Sequence, residues 1–190
     1  MGVFNQVFAF YIVLSQFSVL GIHYSVLKHV SYSQNTIDLI SEIVISAIIL
    51  CIVLSSVVAF FTYELREFAG NLMHSSGVSV GLGLVAPGLI GFSLNKIFLN
   101  VLNGLNRMRS YAVFQALRYV LILVGVVLVI AFSLPGNYLA GSLAFAELVL
   151  LIIMGSYIFF IVAPFRLAAI SSKWFAKHLS FGTRGFLSGT

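Results

Sequence analysis

Long apolar runs broken by short polar connections dominate this chain, and their length is the first informative quantity. A hydrocarbon core about 30 Å thick requires roughly 20 apolar residues at 1.5 Å each. Five runs reach that length, near residues 4–27, 39–63, 77–103, 111–134 and 138–163. They lack the period-2 alternation of barrel strands, whereas helices satisfy their own backbone groups inside a bilayer. The pattern therefore predicts an all-α polytopic membrane helix bundle. Local punctuation agrees: Asn35 or Thr36 can cap the second helix, with Asp38 in its first turn, and Pro135, Gly136 and Asn137 form a tight turn between the fourth and fifth. So short a connection makes those two helices antiparallel neighbours. Residues 165–178, with Arg166, Lys173, Trp174 and Lys177 among Phe165, Leu167, Ile170 and Phe175, read as an amphipathic cytoplasmic connector, and residues 179–190 as the start of a truncated sixth span.

Composition narrows the solvent. Of 190 residues, 61% are hydrophobic and 8% charged, with a mean hydropathy of +1.11. A soluble domain carries about a quarter charged residues, so most of this surface must face lipid. Cys51 lies inside an apolar run and reads as a packing residue. The net charge of +5 is dispersed between the runs, unlike a nucleic-acid surface, and it reports topology instead. Lys28, Arg107, Arg109, Arg118, Arg166, Lys173 and Lys177 fall on one set of connections and only Arg66, beside Glu64 and Glu67, on the other. The first set is expected in the cytoplasm. The first span then runs from outside to inside, which leads us to expect a preceding helix and a chain that is a piece of a longer transporter. The first run holds Asn5, Gln6, Gln16 and His23 with no basic segment before it, unlike a cleavable signal peptide.

Polar side chains inside spans are expensive unless they face a cavity or a partner. At 100° per residue, Asn5, Gln16 and His23 lie within about 20° of one line, which marks either a wet face or interhelical hydrogen bonding. Lys96, Asn100, Asn103 and Arg107 follow at i, i+4, i+7 and i+11, a polar stripe leading to the basic end of the third span. Lys96 lies too deep to snorkel fully, so it either attracts a phosphate or pairs with Glu147, the one acid in the interior of a span. Gln115 and Arg118 share a face at the start of the fourth span, where Arg118 either binds a phosphate bidentately or marks the headgroup level. Gly83, Pro87 and Gly91 recur every four residues as a small-residue face with a kink. No nucleotide loop, zinc-ligand spacing, nucleophile elbow or carboxylate pair occurs, so neither an enzyme nor a cofactor is expected.

Three soft patterns carry a family resemblance. They are Gly2-Val3-Phe4 opening a helix that ends Leu20-Gly21-Ile22-His23-Tyr24-Ser25, the stretch Leu102-Asn103-Gly104-Leu105-Asn106-Arg107 to Arg118, and Trp174 to Gly189. In these the chain resembles the polysaccharide-transport branch of the multidrug/oligosaccharidyl-lipid/polysaccharide flippase superfamily, over its second helix, its fourth-to-fifth connection and the beginning of its seventh helix. The resemblance implies two six-helix lobes around an alternately opening cationic cavity in a bacterial inner membrane. It also implies a lipid-linked oligosaccharide, undecaprenyl-pyrophosphate-linked, as the substrate and a coupling ion, Na+ or H+. On this reading Lys96 and Arg118 attract the pyrophosphate while His23, Gln16, Asn100 and Asn103 line a hydrated path. A multidrug/cation antiporter of the same superfamily, dependent on Glu147, and a membrane-embedded glycosyl or acyl transferase are the alternatives.

Overall fold

A computed structural model describes residues 2–34, 36–162 and 172–188. Eight α-helices follow in order: α1 (Val3–Val19), α2 (Ile22–Tyr32), α3 (Ile37–Glu64), α4 (Arg66–Leu72), α5 (Ser76–Gly104), α6 (Met108–Ala131), α7 (Gly141–Tyr157) and α8 (Ser172–Ser188). A 3₁₀ turn, Gly136–Ala140, leads into α7, and a π-helical turn, Ile158–Val162, ends it. No strand occurs among the described residues. Among the described residues four segments are long and apolar enough to cross a membrane, Ile37–Glu64, Ser76–Gly104, Met108–Ala131 and Gly136–Val162, and the bent pair α1–α2 makes a fifth if taken as one span. The chain is an all-α multi-pass bundle.

Helix α5 is the axis, packed by α1, α2, α3, α4, α6 and α7. Because lipid is as apolar as leucine, close van der Waals fit rather than transfer from water holds such helices together. Small residues supply that fit. Gly81 meets Val7 of α1, Gly88 meets Ala144 of α7, and Gly91 meets the backbone of Glu147. Gly83 faces Arg66 and Tyr63 instead, and Pro87 is exposed, so the expected Gly83, Pro87 and Gly91 face is split between two neighbours. Polar hydroxyls are absorbed locally: Ser18, Ser41, Ser55, Thr62 and Ser93 each donate to the carbonyl four residues earlier. Cys51 is free and fully buried.

Three expectations about boundaries change. The first span is bent by 49° between α1 and α2, where Leu20 (φ 44°) and Gly21 (φ 71°) both adopt left-handed backbone. Glycine tolerates that region and leucine seldom does, so the break is held by packing as well as by local preference. The outer connection is not a loop but includes α4, with Arg66 stacked 3.8 Å from the Tyr63 ring and Glu67 accepting from Ser79 Oγ at 2.8 Å. Thr36 precedes α3 without a side-chain capping bond, and Asn35 lies outside the described residues.

The boundary drawn at residue 178 falls inside α8, which continues from Ser172 to Ser188; Arg166 and the rest of the connector before Ser172 lie outside the described residues. Helix α8 is antiparallel to α1–α2, and four contacts one turn apart fix its register. Trp174 meets the His29 ring at 5.0 Å, and His178 Nδ1 lies 2.9 Å from Ser25 Oγ. Gly182 then packs backbone to backbone on Gly21, and Phe186 meets the Phe17 ring at 5.5 Å. A side chain at residue 21 would collide with the Gly182 carbonyl, so glycine is required there twice over, by φ and by contact.

Candidate functional site

The polar groups of four helices converge about halfway along the bundle. Arg118 lies about ten residues, roughly 15 Å, inside α6, and Glu147 is similarly remote from both ends of the Gly136–Val162 span. Arg118 Nε approaches Glu147 Oε1 to 3.0 Å, with side-chain exposures of 11% and 4%. The second carboxylate oxygen accepts from Asn95 Nδ2 at 2.8 Å, and the same amide also donates to the Glu147 carbonyl at 2.8 Å. Gly91 permits this closeness, because a Cβ there would lie 3.1 Å from the Glu147 backbone. Phe92 forms the floor: Arg118 Cζ is 5.4 Å and Lys96 Nζ 5.5 Å from its ring centroid. Tyr11 meets that ring edge-on at 6.0 Å. The two cations thus share one aromatic ring, an attraction that strengthens where water is scarce.

The cluster is paired but not saturated. Arg118 Nη1 reaches Gln115 Oε1 at 3.5 Å, whereas Arg118 Nε and Nη2, Asn95 Oδ1 and His23 Nδ1 are buried without a hydrogen-bond partner. The Arg118–Glu147 contact is therefore an ion pair whose Nε–H is poorly aligned, leaving guanidinium donors unspent. Buried polar atoms normally find partners, so several orphans in one place point to a polar occupant. With Lys96 and Arg118 against Glu147, the formal charge is one positive in excess.

Several candidate residues sit elsewhere than expected. Glu147 pairs with Arg118 rather than Lys96, because the close α5–α7 and α6–α7 packing brings the guanidinium, not the ammonium, onto the carboxylate. Arg118 lies ten residues into α6, which begins at Met108, two residues after the left-handed Asn106, and is paired with Glu147 inside the bundle. Among the described residues, Lys28, Arg107, Arg109, Lys173 and Lys177 of the basic set remain opposite Arg66. The bend at Gly21 takes His23 off the α1 stripe: Asn5 and Gln16 are exposed on α1, while His23 is 7% exposed and lies within electrostatic reach of Lys96. Asn100 and Asn103 are half-buried between Lys96 and the basic end, and Asn100 Nδ2 donates to its own helix at Lys96 O. Tyr11, Phe92 and Asn95 were not anticipated. Asn95 is one residue from Lys96, but 100° away on α5, so the stripe pattern passed it by.

Comparison of the chain with family models, curated proteins and solved structures yields no match. A crevice of about 460 Å³ in the opposite half of the bundle is lined by Phe10, Leu14, Phe17, Val58, Phe61 and Leu65, among others, and suits hydrocarbon. No group of three or more histidine, cysteine, aspartate or glutamate side chains able to hold a metal occurs among the described residues.

Proposed function

We propose that this chain is part of a membrane transporter that moves a lipid-linked oligosaccharide across a bacterial inner membrane by alternating access. The observation that carries the reading is the mid-bundle cluster, in which the half-buried Arg118 keeps unspent donors beside Lys96 while Glu147, itself held by Asn95, pairs with it. Charged groups at such depth generally face a pathway rather than lipid, and an excess cation with free N–H groups suits a pyrophosphate. His23, Asn100 and Asn103 extend the polar track from Lys96, and the exposed Asn5 and Gln16 offer hydrogen bonds to sugar hydroxyls. The predominantly apolar crevice between α1, α3 and α4 fits the lipid part of such a substrate. A coupling ion, Na+ or H+, would drive the cycle.

The antiporter reading needs Glu147 available to a cation. Its two oxygens are instead engaged by Arg118 and Asn95, which favours the anionic substrate. Glycan export by the full-length protein in cells separates the two. Lys96→Gln should abolish export while protein abundance stays normal, and Lys96→Arg should retain part of it. Unimpaired export by Lys96→Gln would refute the role of the cluster, and loss of drug resistance instead of glycan export would favour the antiporter.

A further inference from the structure

We propose that the shallow cavity between α2 and α8 binds the phosphate of an anionic membrane lipid. Its volume is about 400 Å³, and it is lined by His29 of α2 and by Ala176, Lys177, Ser180, Phe181 and Arg184 of α8. The placement follows from helical geometry. Lys173, Lys177, Ser180 and Arg184 stand at i, i+4, i+7 and i+11, within about 60° of one line, and all four are exposed. The opposite face of α8 is fixed by its contacts with α1, α2 and α3, including His178 Nε2 at 3.0 Å from the Ile43 carbonyl. Lysine, serine and arginine are therefore presented in a set arrangement rather than as loose surface charges. Lys28 brings a third cation against one wall residue, its Nζ 4.8 Å from the Phe181 ring.

No acidic side chain lines the cavity, and Lys28, Lys177 and Arg184 form no ion pair among the described residues. Glu42, on the adjoining α3, accepts from the Trp174 indole N–H at 3.3 Å. The ring of His29 has its Nδ1 committed to the Ser25 carbonyl at 2.8 Å. A guanidinium, an ammonium and a hydroxyl converging on one space match a phosphate. The apolar floor of Ala176 and Phe181 suits the glyceride region beside a headgroup, and offers a hydrated free phosphate nothing. The basic end of the bundle is also where anionic leaflets concentrate such lipids. The site does not depend on what the chain transports.

Trp174 is the chain's one tryptophan, and Lys177 Nζ lies 4.3 Å from its ring, so its fluorescence reports on the site. The purified protein in nonionic detergent would be titrated with short-chain phosphatidylglycerol, short-chain phosphatidylcholine and inorganic phosphate, reading the midpoint of each change. Phosphatidylglycerol should give a saturable change and phosphatidylcholine none. Each charge removed should weaken binding about fivefold, so Lys177→Gln with Arg184→Gln should shift the midpoint by roughly thirtyfold. Lys177→Arg with Arg184→Lys should keep it near the wild-type value. Equal responses to the two lipids, or an unshifted midpoint in the double glutamine variant, would overturn the site. Inorganic phosphate acting at the same concentration as phosphatidylglycerol would overturn its assignment to a lipid.

Discussion

Replacing Glu147 by glutamine tests the central cluster most severely. The change removes the one carboxylate from a space that also holds Arg118 and Lys96, leaving two like charges over the Phe92 ring. Removing one partner of a buried ion pair costs about 3–5 kcal/mol, since the other charge stays desolvated. Arg118→Met should cost less, about 1–3 kcal/mol. Glu147 would keep the Asn95 amide, and the flexible Lys96 can swing from the neighbouring turn to replace the guanidinium. The double variant Arg118→Met with Glu147→Gln removes both charges at similar volume and should lie near the wild type. Asn95 stays satisfied in it, because its amide also donates to the Glu147 carbonyl. Equilibrium unfolding in detergent of the wild type, both singles and the double supplies a complete cycle, with an expected coupling of about 3 kcal/mol or more. A Glu147→Gln protein within about 0.5 kcal/mol of wild type, or single effects that simply add in the double, would refute the energetic role assigned to the pair.

Other sites give sharper local contrasts. Gly88→Ala places a Cβ 2.6 Å from Ala144 Cα and must push α5 from α7, costing about 1–3 kcal/mol. Gly83→Ala meets only the flexible Arg66 Cδ at 3.3 Å and should stay within about 0.5 kcal/mol; thermal unfolding of the pair decides between them. His178→Leu breaks the bridge from α8 to Ser25 and Ile43, and should weaken α8 docking by about 1–3 kcal/mol, measured as faster amide exchange over residues 172–188 with α5 unaffected. In a Cys51→Ser background, a cysteine at exposed His74 should label from outside intact cells and one at exposed Arg109 only after permeabilisation, as the basic-residue asymmetry requires. The opposite labelling would reverse the orientation.

The class of the fold was written in the chain because a bilayer asks only for length and apolarity, both of which are one-dimensional. Runs of about 20 apolar residues, the turn at Pro135 to Asn137 and the asymmetric basic residues needed no knowledge of neighbours. The candidate residues Lys96, Arg118 and Glu147 were visible for the same reason, as charges where charge is costly. Their partners were not. Periodicity gives an angle around one helix, but which helix lies at that angle depends on packing, and the Gly88 and Gly91 contacts set the α5–α7 approach that lets Asn95 bond Glu147. The start of α6 at Met108 lay outside the reach of hydropathy, because a left-handed Asn106 sharpens a boundary that an apolar window blurs. The line through Asn5, Gln16 and His23 assumed a straight helix, and the bend at Gly21 is stabilised by Gly182, a residue far away in sequence. Sequence alone determined what each segment is dissolved in; the tertiary structure decided which polar groups meet, because close packing depends on shape in three dimensions and not on order along the chain.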